Sequence, residues 1–200
     1  MRKWLFLLCL LLFADAWLLG ELEERTSLDT LREAGIPEES FQKAGISKEE
    51  SLLYIGFWKD LEYFPLAFPC EGEEKFSFEN GWHDRRSFGG ERFHEGCDIF
   101  GNRRLTDYYP VVSITDGQVE QKGWLPLGGW RIGVRSPGGG YFYYAHLSSY
   151  GRDFQEGDQV KAGELLGFLG DSGYGPEGTT GKFPPHLHLG IYVETEEDPE

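Results

Sequence analysis

Short runs of alternating apolar and polar residues dominate the second half of the chain and predict β-strands. Residues 111–119 predict a strand, an Asp-Gly turn and a second strand, paired as a hairpin. Residues 130–135 and 141–147 flank a glycine-rich turn and predict another hairpin, and residues 157–168 continue the pattern. Many short strands at regular spacing with almost no helix predict a mainly β fold, an antiparallel β-sheet or β-sandwich.

The segment before this β region has a different composition. It is acidic, rich in helix-forming residues, and contains an imperfect repeat in which glycine stands where a helix would end in a left-handed cap. Ser47 followed by Glu50 has the pattern of a capping box at a helix start. We predict short α-helices that form a spacer or pro-segment over residues 21–68, followed by the β domain over residues 69–200.

The N-terminus predicts export. Two basic residues precede a brief apolar run over residues 4–13, and Ala14-Asp15-Ala16 resembles a cleavage site for secretory signal peptides. The alternative is an uncleaved membrane anchor over residues 1–20, although a charge such as Asp15 is unfavourable inside a bilayer. The expected location is therefore the cell envelope or the extracellular space, with membrane contact only through this segment.

Composition limits the classes of partner. The 200 residues are 40% hydrophobic and 16% aromatic, which is enough for one globular core with appendages. Acidic residues number 34 against 19 basic ones, a formal net charge of −15, so the surface should repel nucleic acids. Oligomeric state is not indicated by any of these features.

Two histidines near the C-terminus lie two residues apart in a predicted strand. His186 and His188 therefore project from one face, while Leu187 and Leu189 face the core. Two imidazoles on one rigid face form half of a metal or acid–base site, although a His-x-His strand can also be a polar face.

A second stretch supplies an imidazole and a carboxylate. His94 and Asp98 are four residues apart, so they share a face if the segment is extended. Gly96 lies between them on that face without a side chain, while Cys97 and Ile99 face the other way. Together with one histidine of the later pair, they give the three nitrogen or oxygen ligands of a catalytic zinc site, whose fourth position is left for water.

A third stretch, Tyr-Ala-His-Leu, ends an aromatic-rich strand at His146. The ordered set His-x-x-x-Asp, Tyr-Ala-His-Leu and His-x-His resembles the lysostaphin/LytM-type zinc metalloendopeptidases that cleave bacterial peptidoglycan. The resemblance covers about residues 82–192 and implies a β domain of the duplicated hybrid motif type with one Zn²⁺ per chain. It implies His94, Asp98 and His188 as zinc ligands.

The same resemblance implies His146 and His186 as the two catalytic histidines, and leaves open which is base and which is stabiliser. The implied reaction is hydrolysis of peptide crosslinks or bridges by a zinc-activated water. Some family members place a tyrosine, thought to assist the oxyanion, where this chain has Phe88. Arg92 is a candidate cationic donor to the oxyanion or substrate, and Tyr144 is a candidate substrate contact, with core packing as its alternative.

Cysteine usage leaves two states open. Cys70 and Cys97 remain after signal removal, and an even pair in an exported protein can form a disulfide. Cys97 can equally be a buried thiol that packs as a small hydrophobe.

Two other functions remain possible on the sequence. A non-catalytic LytM-like protein of the envelope would activate or scaffold other cell-wall hydrolases, but such relatives usually lose ligand residues and all five positions are filled here. A carrier or binding β-domain would fit the Gly-Asp-x-Val-x-x-Gly element, which resembles lipoyl-carrier hairpins, but it does not account for the histidines.

Overall fold

The computed structural model describes residues 61, 65–66, 75–79, 81 and 83–193. All of them belong to the second of two compact units, residues 60–200, and the first unit, residues 1–59, lies outside the described residues. The predicted signal segment, almost all of the predicted helical segment and Cys70 therefore also lie outside them. None of the described residues belongs to a helix long and apolar enough to cross a bilayer.

The described residues form eleven strands and no helix. The strands are β1 (Phe76–Glu79), β2 (Arg85–Arg86), β3 (Arg92–Phe93), β4 (Cys97–Gly101), β5 (Pro110–Val112), β6 (Gly117–Leu125), β7 (Gly129–Arg135), β8 (Tyr141–Tyr150), β9 (Gln159–Val160), β10 (Leu165–Leu169) and β11 (Leu187–Tyr192). Every pairing between these strands is antiparallel, which confirms the predicted mainly β fold.

One sheet contains nine of these strands, and β2 and β3 form a separate ribbon. The main path runs β1-β4-β11-β8-β7-β6-β9, with β10 pairing to both β8 and β5. The strand β11 comes last in sequence but lies between β4 and β8. This central position brings the three histidine-bearing stretches together.

The alternation seen in the sequence sorts side chains between the core and the site. On β8, Phe142, Tyr144 and Leu147 are fully buried, and on β7 the core side chains are Ile132 and Val134. Burial of such aromatic and branched side chains stabilises the fold by roughly 1.5–3 kcal/mol each. The sheet therefore provides a rigid base for the polar residues on its other face.

One of the two predicted hairpins is wrong. The strands β7 and β8 pair as expected, but β5 pairs with β10 and β6 pairs with β7 and β9. Asp116 does not close a two-residue hairpin, because its carboxylate accepts hydrogen bonds from the Ala162 amide at 2.9 Å and from Lys161 Nζ at 2.7 Å. These contacts join residues at least 45 positions apart in the sequence, and they outweigh the local preference for a turn at Asp116.

Candidate active site

Three potential metal ligands lie at the junction of β4 and β11. His188 stands directly opposite Asp98 in the antiparallel register, and His94 precedes β4 by three residues. The distances His94 Nε2 to Asp98 Oδ1, His94 Nε2 to His188 Nδ1, and His188 Nδ1 to Asp98 Oδ1 are each 3.0 Å. Among the described residues, His94, Asp98 and His188 are close enough together to hold one metal ion.

The donor set fits a zinc ion. The Nδ1–H of His94 donates to the Gly81 carbonyl oxygen at 2.9 Å, so the His94 Nε2 lone pair faces the other two ligand atoms. Tetrahedral ligands about 2.0–2.1 Å from zinc are about 3.3 Å apart, close to the observed separations. Burial alone raises the pKa of Asp98, but the His188 hydrogen bond and the three neighbouring histidines hold it well below its ordinary value. Asp98 is therefore ionised at neutral pH and can supply the anionic oxygen that such a site needs.

The backbone at Gly96 allows this close approach. A Cβ atom at that position would lie 2.6 Å from His188 Cε1 and 2.7 Å from the Leu189 carbonyl oxygen. Ordinary contacts of this kind are 3.4 Å or longer. Glycine is thus required here for the His188 ring to lie beside the segment that carries His94 and Asp98.

His146 reaches the same site because β8 contains a bulge. Between the pairs Ile132–Tyr144 and Trp130–Leu147, β8 has two residues where β7 has one. His146 occupies the bulge with a left-handed φ of 62°, an uncommon conformation for a residue with a side chain. The bulge breaks the strict alternation of β8, so that His146 and Tyr143 both line the cleft although they are three residues apart.

Both additional histidines present an unprotonated nitrogen. The Nδ1–H of His146 donates to the Ser172 carbonyl oxygen at 2.8 Å, and that of His186 donates to the Pro184 carbonyl oxygen at 2.8 Å. Since a carbonyl can only accept, each ring keeps its Nε2 lone pair free for the cleft. Burial lowers the pKa of His146 to about 3, and burial also lowers the pKa of His186. Both rings are therefore neutral at physiological pH.

All five residues singled out in the sequence as ligands or catalytic histidines line one cleft. The ring centroids of His146 and His186 are 4.7 Å apart, and His186 Nε2 lies 3.6 Å from Asp98 Oδ1. The cleft is also lined by residues from outside the three motifs: Arg86, Arg92, Leu127, Gly128, Tyr143 and Tyr174. The triangle of His94, Asp98 and His188 can bind a cation, and the two neutral imidazoles beside it can accept and donate a proton.

Five of these six additional lining residues were not predicted from the sequence, and two of the five, Arg86 and Tyr174, contact predicted site residues. Arg86 Nη2 lies 3.4 Å from Asp98 Oδ2, and Arg92 Nη2 donates to the Tyr174 hydroxyl oxygen at 3.2 Å. The Tyr174 ring stacks on Phe88, with ring centroids 4.4 Å apart and an interplanar angle of 6°. Phe88 has no hydroxyl of its own to offer the cleft. Its ring instead packs against Tyr174, which comes from a loop distant in sequence.

Tyr144, a candidate substrate contact on the sequence, lies in the core and does not line the cleft. Its side chain is fully buried on the core face of β8, and its hydroxyl oxygen accepts a hydrogen bond from the Ile114 amide at 2.9 Å. Burial raises its pKa well above the ordinary value for tyrosine. Tyr143, which lies on the opposite face, lines the cleft instead.

Cys97 is a half-buried, free cysteine. Burial and the adjacent Asp98 carboxylate raise the pKa of its thiol, which makes the thiol less reactive. A free Cys97 favours the alternative of a packed thiol over the disulfide with Cys70, a residue that lies outside the described residues.

Comparisons with known proteins agree with this geometry. Residues 92–199 match peptidase family M23. The chain is 48% identical over 153 residues to the L-Ala–D-Glu endopeptidase of Bacillus subtilis (strain 168), covering 76% of this chain and 45% of that protein. It is 37% identical over 98 residues to the glycyl-glycine endopeptidase ALE-1 of Staphylococcus capitis, covering 48% of this chain and 24% of that protein. The chain thus spans less than half the length of these relatives.

A solved structure is also similar. The crystal structure of a LytM protein of Ruminococcus gnavus has a TM-score of 0.68 and 47% sequence identity, covering 80% of this chain and 65% of that chain. The resemblance drawn from the sequence motifs is therefore confirmed by the family match and by this structure.

Proposed function

Because the chain belongs to peptidase family M23, we propose that it is a zinc-dependent endopeptidase that hydrolyses peptide crosslinks or bridges of bacterial peptidoglycan. The observation that carries this proposal is the triangle of ligand atoms, each 3.0 Å from the other two, with two neutral histidines beside it. The relatives named as endopeptidases support the same reaction class.

Three atoms would bind the metal: His94 Nε2, His188 Nδ1 and one carboxylate oxygen of Asp98. When bound there, one zinc ion supplies Lewis acidity that polarises the scissile carbonyl and lowers the pKa of water from about 16 to about 7. The hydrogen bond from His94 Nδ1–H to Gly81 fixes the ring in the ligating tautomer.

The two other histidines would handle the proton. His146 and His186 each direct an unprotonated Nε2 into the cleft and are neutral near pH 7, so either can accept the proton of the attacking water. The ring that has accepted it can then donate to the departing amine. The two rings are in the same tautomer, so separating base from stabiliser requires the pH profiles of the single variants.

The site of action follows from the predicted export signal. A chain carrying that signal would meet peptidoglycan outside the cytoplasmic membrane, either released or held by an uncleaved N-terminal segment. The names of the two relatives include both an L-Ala–D-Glu bond and a glycyl-glycine bond. Both bonds are therefore candidates for this chain.

Metal analysis and digestion test the proposal together. The purified full chain should contain about one zinc per chain, and it should release peptide-linked fragments from peptidoglycan, identified by mass spectrometry. His186→Ala should keep most of the zinc but lose about 10²-fold or more in rate. His83→Ala is the matched control, because His83 is an exposed histidine that does not line the cleft.

Two results would contradict the enzyme assignment. The first is the same fragment release by the parent and His186→Ala. The second is stoichiometric zinc with no hydrolysis of any wall preparation, which would favour the non-catalytic activator. A lack of zinc in the intact protein would favour the carrier or binding domain.

A further inference from the structure

Two arginines form a paired cationic surface beside the candidate metal site. Arg86 and Arg92 stand directly opposite each other in the β2–β3 ribbon, so their side chains project from the same face. Both line the cleft, whereas the neighbouring pair Arg85 and Phe93 has the opposite orientation in the ribbon and does not. Like charges directly opposite in a strand pair are destabilising, and this pair is found in a chain with a net charge of −15.

The charge of this pair is only partly compensated within the described residues. Asp98 lies 3.4 Å from Arg86 Nη2, and no carboxylate in the described part of the chain lies within ion-pair distance of Arg92. Arg92 Nε is buried and has no hydrogen-bond partner among those residues. The Arg92 guanidinium thus brings to the cleft a positive charge that no carboxylate of the described residues balances, and an anionic ligand would balance it.

Tyr174 adds a neutral donor to the same surface. Its hydroxyl oxygen accepts from Arg92 Nη2, which leaves its own O–H free to donate into the cleft. The ring is held by stacking on Phe88, and the backbone at Tyr174 has a left-handed φ of 57°. The position of the hydroxyl is therefore set before any ligand binds.

We propose that Arg86, Arg92 and Tyr174 form a subsite for a free carboxylate of the substrate, adjacent to the scissile bond. This inference rests on the proposed peptidase function and makes it more specific. Guanidinium groups bind carboxylates with charge-assisted hydrogen bonds, and the subsite lies in the same cleft as His146 and His186. The preferred substrate then has an acidic residue next to the bond that is cut, so an L-Ala–D-Glu bond is favoured over a glycine bridge.

A matched pair of peptides tests the subsite. The zinc-loaded full chain is assayed on a peptide with an L-Ala–D-Glu bond whose glutamyl residue has a free carboxylate, and on the same peptide with that carboxylate amidated. Charge-assisted hydrogen bonds contribute about 1.5–3 kcal/mol, so the acid should exceed the amide by about 10- to 100-fold in kcat/KM. Pentaglycine should be a poorer substrate than the acid.

Variants separate carboxylate binding from other roles of the arginines. Arg92→Gln should lower kcat/KM for the acid by a clearly larger factor than for the amide, and Arg92→Lys should restore part of the preference. Tyr174→Phe should weaken the preference by a smaller factor. Arg85→Gln, which removes an exposed arginine from the opposite face of the ribbon, should behave as the parent.

The proposal is overturned if the parent hydrolyses both peptides at equal rates. It is also overturned if Arg92→Gln lowers the rate for both by the same factor, since that result indicates oxyanion stabilisation or a structural role. If the parent cleaves neither peptide and no peptidoglycan, the proposed function fails and calorimetric binding of the two peptides decides the subsite. Tighter binding of the acid, lost in Arg92→Gln, supports it, and equal affinity of acid and amide overturns it.

Discussion

Replacing Gly96 by alanine tests whether the His188 ring lies where the structure places it. The added Cβ would lie 2.6 Å from His188 Cε1, 2.7 Å from His188 Nε2 and 2.7 Å from the Leu189 carbonyl oxygen. These distances are about 0.7–0.8 Å shorter than ordinary contacts. The Leu189 carbonyl belongs to a strand paired on both sides, so the strain falls on the segment before β4 or on the His188 ring.

The magnitude follows from these contacts. Overpacking by one methyl group in a tightly packed site costs about 1–3 kcal/mol. Displacing one of three ligands, or the segment that carries the other two, should weaken zinc binding by at least the 10- to 100-fold that is typical when the support of a metal ligand is lost. Hydrolysis should fall in parallel, because the zinc-bound fraction of the protein limits it.

The assay measures zinc affinity by competition with a chromophoric chelator, together with the thermal midpoint of the metal-free protein. Gly96→Ala should show the loss of affinity together with a decrease of about 2–12 °C in that midpoint, as a cost of about 1–3 kcal/mol requires. Glu95→Ala is the control, because it introduces alanine at the exposed neighbouring residue. Zinc affinity within about threefold of the parent would refute the assignment of His188 as a ligand beside Gly96.

Three further changes test other parts of the structure. Tyr144→Phe leaves the buried Ile114 amide without its acceptor and should lower the free energy of unfolding by about 1–3 kcal/mol, measured with urea, with no change in zinc content or activity. In the metal-free protein, the lowered pKa values of His146 and His186 mean that the unfolded chain binds more protons below about pH 6.5. Stability should therefore decrease from about pH 6.5 towards pH 4, by up to about 1.4 kcal/mol per pH unit for His146, with His186 acting in the same direction. A flat profile in denaturant titrations would contradict the buried neutral rings. Ser172→Ala removes a hydroxyl from the residue whose carbonyl orients His146, and should lower kcat more than KM at unchanged zinc content.

The sequence was sufficient to predict the features that depend on local spacing. Strand alternation predicted the antiparallel β fold and the shared face of His186 and His188. The four-residue spacing of His94 and Asp98 around a glycine predicted that the two side chains would point the same way, and in the structure their ligand atoms lie 3.0 Å apart. Local periodicity carries this information because backbone geometry fixes side-chain direction within a strand.

Other features required the tertiary structure. Strict alternation on β8 cannot place both Tyr143 and His146 in the cleft, and only the bulge formed by pairing with β7 does so. The local turn signal at Asp116 failed because the pairing of β5 is decided by β10, about 50 residues away. Arg86 and Tyr174 were missed because neither carries a motif.

The sequence by itself determined which chemical groups are available and which of them share a face of a strand. The tertiary structure decided which strands are neighbours, where β8 bulges and which distant side chains complete the cleft. The physical reason is that side-chain direction follows from backbone geometry over a few residues. Strand order and cross-strand contacts depend instead on packing between segments far apart in the sequence. The segments that bring His188 to Asp98 and to His94 are 90 residues or more apart.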